Sequence, residues 1–216
     1  MENPKSTYQY YENQDFERIY NGEFTCTFQE RNYFGKNLRK GSIKGHFKDG
    51  QYDGVWKLVY PYRYEDKNYT AIMDVSFSNG LINGPLKVVV TDAAQNKVCE
   101  TIISFFNGIR SGDLNHYSKL NPYLISEVNG QYKNDKRFGK WTYVYEGDMG
   151  IIEYDDGVEI RNFIIDKSTG SKMDGMDIPY AALDYGNISF SDLLNTMGEV
   201  NKNTNNKSFD IFWEEY

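Results

Sequence analysis

The chain has 216 residues, of which 24 are basic and 31 acidic, for a net charge of −7; 39% are hydrophobic and 16% aromatic. That length suits one domain or an elongated repeat array and can bury a substantial core. An acidic surface does not predict nucleic acid or anionic lipid as a partner. The charge is uneven, because eight acidic and three basic residues from Ser171 onward contribute −5 of the −7.

Cys26 and Cys99 are the only cysteines, too few for a disulfide scaffold and without metal-ligand spacing, so two buried thiols are expected. No apolar h-region follows Met1, and the longest strongly apolar run, Leu86 to Val90, is far too short to span a bilayer. The expectation is a cytoplasmic protein, or an exported one if a signal has been removed.

Residues 1–18 form a polar and aromatic N-terminal arm in which Tyr8, Tyr10 and Tyr11 begin either a strand or a docked segment. A degenerate repeat follows, with a turn expected at Asn21-Gly22, Cys26 in a glycine slot and Phe28 in a Trp slot. Glu30 to Lys40 reads as a basic connection.

Four full copies of one unit come next. Gly45 to Tyr60 (GHFKDGQYDGVWKLVY) returns as Val75 to Val90, Ile103 to Ser118 and Gly130 to Tyr145. A single register fits all four: an aromatic residue, any residue, Asp or Asn, Gly, three free positions, Gly, any residue, then Trp or Leu. The leading aromatic is Phe47, Phe77, Phe105 or Tyr132, and the turn glycine is Gly50, Gly80 or Gly108, with Asp135 as the one exception. The closing glycine is Gly54, Gly84, Gly112 or Gly139, and the last slot holds Trp56, Leu86, Leu114 or Trp141.

Each unit predicts a β-hairpin. Asp-Gly and Asn-Gly are the dipeptides that a type I′ turn requires, since both central residues need positive φ. Alternation after the turn places Gly54, Trp56, Leu58 and Tyr60 on one strand face, and Gly139, Trp141, Tyr143 and Tyr145 on its equivalent. A glycine recurring inside a strand implies either positive φ or a close neighbour. Contact with a Trp ring from the adjoining strand is the expected reason. Variable connections such as Pro61 to Lys67 absorb the differences in repeat length.

A sixth, shorter copy begins at Tyr154-Asp155-Asp156-Gly157, with Arg161 in the glycine slot and Phe163 in the Trp slot. The repeat domain therefore spans 19–165 and contains about six hairpins, or twelve strands. Residues 166–216 comprise a linker at Asp166 to Asp177, a short helix capped by Ser189 to Asp192 and running to Gly198, a loop at Asn201 to Ser208, and an aromatic, acidic tail from Phe209 to Tyr216. The tail is expected to cap the sheet, with a partner-binding segment as the alternative.

The pattern G-x-[FY]-x-[DN]-G-x-x-x-G-x-W resembles MORN repeats, more closely the variant form found in tandem in bacterial proteins, some labelled antitoxins. The resemblance covers roughly Ile19 to Phe163. It implies an all-β fold, a single-layer antiparallel meander, serving as a binding or scaffolding surface and carrying no catalytic residues. The basic face associated with lipid-head-group binding in some members is lacking.

Trp56, Tyr60, Trp141, Tyr143 and Tyr145, with Phe212 and Trp213 of the tail, are candidates for a ligand or partner surface. Packing between hairpins is the favoured reading of the repeat rings, because a binding site has no reason to recur in every unit. Glu153, Asp155 and Glu159 alternate along one strand face and could supply an acid and a base, although nothing beside them suggests a raised pKa. His46 and His116 lack a neighbouring nucleophile or ligand cluster. The sequence thus points to a non-enzymatic protein-interaction or scaffolding module without cofactor or metal. Alternatives are an aromatic-lined carbohydrate or peptide binder and, more remotely, a hydrolase. Neither the partner nor the oligomeric state is legible.

Overall fold

Five dipeptides set the architecture. Asp49-Gly50, Asn79-Gly80, Asn107-Gly108, Asn134-Asp135 and Asp156-Gly157 all hold positive φ at both positions, 47–52° at the first and 65–85° at the second. Each closes a two-residue hairpin, because this turn twists in the same sense as the strands it joins. The structure, a computed structural model, describes residues 2–31, 38–120, 125–145, 148–175 and Leu193.

Thirteen strands form one open antiparallel sheet in strict sequence order. They are β1 (Glu2–Glu12), β2 (Arg18–Arg31), β3 (Leu38–Lys48), β4 (Gln51–Tyr64), β5 (Lys67–Ser78), β6 (Leu81–Asp92), β7 (Lys97–Phe106), β8 (Ile109–Ser118), β9 (Ile125–Lys133), β10 (Lys136–Tyr145), β11 (Asp148–Asp155), β12 (Val158–Ile165) and β13 (Lys172–Asp174). The expected all-β meander is what the sequence folds into. The expected helix and tail lie outside the described residues, Leu193 excepted.

The closing glycines differ from expectation. No atom lies within 4 Å of where a Cβ would stand on Gly54 or Gly139, so no ring presses on them. Positive φ is the reason for glycine: +66° at both, +106° at Gly84 and +104° at Gly112. Each sits in a bulge. Lys44 pairs with Lys57 and His46 with Asp53, so Gly54, Val55 and Trp56 together oppose Gly45 alone. The bulge steers the strand toward the following hairpin. Gly54 then pairs with Phe77, Gly84 with Phe105, Gly112 with Tyr132 and Gly139 with Tyr154.

The same rule corrects the N-terminal unit. Asn21-Gly22 is not a turn but lies inside β2, and the first reversal is the Asn13–Glu17 loop. Gly22, with φ +113°, pairs with Phe47, so it is the closing glycine, and Phe24 rather than Phe28 takes the Trp position. Residues 2–12 are an edge strand of the sheet. Pro61 to Lys67 is also no loop, because β4 and β5 continue through it to a two-residue turn at Glu65-Asp66. Within the expected linker, Lys172–Asp174 adds a thirteenth strand against β12.

Ring contact does occur, at other glycines. A Cβ on Gly45 would overlap the Trp56 indole, one on Gly130 the Trp141 indole, one on Gly41 the Phe28 ring and one on Gly150 the Tyr143 ring. The two Trp residues sit in matching surroundings: Trp56 Nε1 donates to His46 O at 3.0 Å and Trp141 Nε1 to Gln131 O at 3.2 Å. Where the last slot is Leu, the opposing residue is larger, as in Val75 with Leu86 and Ile103 with Leu114. The repeat therefore conserves the summed volume of a cross-strand pair, not the size of either member.

One face, called inner here, carries the core. Ile43, Trp56, Leu58, Met73, Val75, Leu86, Val88 and Cys99 on it are fully buried, and Leu193 joins the same cluster. The outer face carries cross-strand ion pairs such as Lys57–Asp74 at 3.5 Å and Lys87–Glu100 at 2.8 Å, beside the half-buried row Val59–Ile72–Val89.

Candidate interaction surface

The hairpin turns lock successive units together. Gly50 N–H donates to Tyr20 O at 2.7 Å, Gly80 to Tyr52 O at 3.0 Å, Gly108 to Ile82 O at 2.7 Å, Asp135 to Arg110 O at 3.0 Å and Gly157 to Arg137 O at 3.0 Å. Each acceptor stands two residues before a closing glycine and occupies one of the positions that the sequence register leaves free. These residues form a row along the turn-proximal border of the inner face. In the N-terminal half the row is sealed by Tyr52 and Ile82, both fully buried. From β8 onward it contains Arg110, Arg137 and Glu159 instead.

The two arginines are held by rings. Arg110 lies over Tyr132 at 4.6 Å, and Arg137 lies over Trp141 at 5.0 Å and Tyr154 at 5.4 Å. Arg137 Nη1 also donates to the Tyr154 hydroxyl at 2.8 Å. Arg110 Nε donates to Asp135 Oδ1 at 2.9 Å, and the Arg110 amide donates to the same oxygen at 2.8 Å. Arg110 Nη2 adds a bond to Asp135 O at 3.2 Å, so each guanidinium is fixed both by the ring beneath it and by an in-plane partner. Arg110 retains 27% of its side-chain exposure, while Arg137 and Tyr132 are half-buried. This guanidinium–aromatic row can receive carboxylates and aromatic rings.

The rings singled out in the sequence lie deeper. Trp56, Trp141 and Tyr143 are buried, and Tyr60 is half-buried against the core. Burial pushes the Tyr143 hydroxyl up to about 12, with the nearby charge of Glu159 adding to the effect. The Tyr145 side chain, Phe212 and Trp213 lie outside the described residues.

Glu153, Asp155 and Glu159 do not share one face. Glu153 pairs with Arg161 at 3.6 Å, Asp155 is exposed beside the turn, and Glu159 opposes Tyr154 across the hairpin. The turn at Asp156-Gly157 separates Glu159 from the other two, which breaks the alternation read along the sequence. His46 is half-exposed, 3.8 Å from Asp53. His116 is buried with its Nδ1 2.8 Å from Thr101 Oγ1, and burial lowers its pKa to about 4. Among the described residues no three His, Cys, Asp or Glu side chains gather as a metal site. No described helix is long and apolar enough to cross a membrane.

Neither the family models nor the curated proteins compared with this sequence give a match. The arginine row is the feature that sequence reasoning missed. Its signal was present, as a change from Tyr52 and Ile82 to Arg110 and Arg137 at one fixed register position, but the repeat is defined by its constant positions and this one varies.

Proposed function

We propose that the chain is a MORN-like, non-enzymatic repeat module, located in the cytoplasm, that binds a protein partner through the row Arg110–Tyr132–Arg137–Tyr154. The observation that carries this reading is the change in the row from sealed apolar packing to partly exposed, ring-supported guanidinium groups within an otherwise repetitive sheet. Arg with Tyr or Trp is the composition of interface hot spots. A flat, stacked guanidinium selects carboxylates that arrive beside apolar groups, so the fitting partner is an acidic, aromatic peptide segment. The repetition of hairpins supplies a rigid platform for it.

The alternative of an aromatic-lined carbohydrate or peptide groove relied on Trp56, Trp141, Tyr143 and Tyr145, and the first three are occupied in packing. The arginine row is therefore preferred as the binding surface. A peptide-display selection against the full chain tests it. Enriched peptides should combine Asp or Glu with Phe, Tyr or Trp, and should lose affinity for the Arg110→Glu/Arg137→Glu chain. Undiminished binding to that variant, with its hairpins still folded, overturns the proposal.

A further inference from the structure

A second pair of arginines stands at the border of the sheet opposite the Asn-Gly turns. Arg39 is the second residue of β3, Arg63 the last but one of β4 and Asn68 the second of β5, so three consecutive strands bring them together. Asn68 is the direct cross-strand neighbour of Arg63. Arg39 reaches past β4 to donate from Nη2 to Asn68 Oδ1, which sets its guanidinium beside that of Arg63. Burial, and then the Arg63 charge, lower the pKa of Arg39 from its ordinary value.

Like charges this close repel, and little here offsets the repulsion. Among the described residues one carboxylate bonds to either guanidinium: Asp66 Oδ1 accepts from Arg63 Nη2 at 2.7 Å. The Asp66 side chain is 94% exposed, so water screens that pair. Asp66 also fills only one arm of the fork, because Arg63 Nε is shut off from solvent and finds no hydrogen-bond partner among the described residues. Arg110 makes the contrast, since its Nε is bonded to Asp135 and its plane lies on Tyr132. A buried donor without an acceptor costs stability, and an anion is one of the few things that explain it. Asn68 adds to the supply, because with Oδ1 taken by Arg39 its Nδ2 is left to donate.

We propose that Arg39, Arg63 and Asn68 form a binding site for a tetrahedral oxyanion of the phosphate class, either free or as the end group of a small soluble molecule. Two oxygens of such an anion match the Nε and Nη2 arms of Arg63 once Asp66 swings aside, and a third meets Arg39. Its charge of about −1.5 to −2 balances two guanidinium groups, whereas a carboxylate has one charge and two oxygens and satisfies one of them. This site lies at the other border from the row Arg110–Tyr132–Arg137–Tyr154 and does not rest on the reading of that row.

Thermal unfolding of the full chain tests it, with phosphate exchanged for chloride at constant ionic strength. The midpoint should rise and level off as phosphate saturates the site. Arg39→Gln and Arg63→Gln should each raise the phosphate concentration needed by about tenfold or more, while Arg110→Gln should leave it unchanged. A rise that never saturates, or that survives in both variants, is a general salt effect and overturns the proposal. Glycerol phosphate separates the two sources: a response equal to that of inorganic phosphate supports a carried group, and a response to inorganic phosphate alone supports the free anion. If a variant fails to fold, the Arg63 Nε–Hε resonance of the wild-type chain decides. A saturable shift on adding phosphate supports the site, and an unmoved resonance overturns it.

Discussion

Arg110 and Asp135 grip each other across consecutive hairpins. The Asp135 amide donates to the Arg110 carbonyl, and the Asp135 carboxylate accepts from both the backbone amide and the guanidinium of Arg110. Asp135 is the residue that breaks the turn-glycine rule, and it holds φ +65° to do so. The departure has a physical reason: a side-chain acceptor at this point fixes the arginine, which a glycine could not do.

Removing that acceptor has a graded cost. Asp135→Ala keeps the left-handed strain and loses the bonds, so it should destabilise by about 1–2 kcal/mol in urea unfolding, the ion pair itself adding little at this exposure. Asp135→Asn retains an oxygen and tolerates the conformation, and should cost under about 0.5 kcal/mol. Equal losses for the two would mean that the carboxylate contributes nothing through Oδ1.

Two classes of glycine should respond differently. Gly45→Val drives a side chain into the Trp56 ring and should cost about 3 kcal/mol or more. Combined with Trp56→Leu it recreates the Val75/Leu86 pair, so the double variant should be more stable than the Gly45→Val single. Gly54→Ala meets open space and pays only for its positive φ, about 1–2 kcal/mol. Additive losses at Gly45 and Trp56 would refute the volume rule.

The Tyr143 hydroxyl is buried and finds no hydrogen-bond partner among the described residues. Tyr143→Phe should therefore be neutral or stabilising by up to about 1 kcal/mol. Its folded pKa lies near 12 against 10.0 for an unperturbed tyrosine. Between those values the unfolded chain has lost a proton that the folded one retains, so stability falls as pH rises. The Phe variant should lose less stability over that window; the same decline as wild type would assign it to other groups, such as Tyr52.

His116 acts at the acid end. Its pKa is lowered from 6.5 to about 4 by burial, so between those values the unfolded chain binds a proton that the folded one does not. Stability should fall as pH drops through this window, by up to about 3 kcal/mol at its lower end. NMR titration should place the folded imidazole midpoint near 4, and a midpoint near 6.5 would exclude the mechanism.

The sequence by itself determined the hairpins, because an Asn-Gly or Asp-Gly turn needs only local backbone preference. Repetition of the phase then forced neighbouring hairpins to pair in order. Local preference could not say why Gly54 is glycine, since a ring overhead and a positive φ both select it; only the bulge, created by pairing with the next hairpin, decided that. The same holds at Gly22, whose Asn-Gly dipeptide signals a turn but whose pairing with Phe47 makes it part of a strand. Tertiary structure also decided where Arg110 and Arg137 stand, because their position matters only once the turn of the following unit comes down on them.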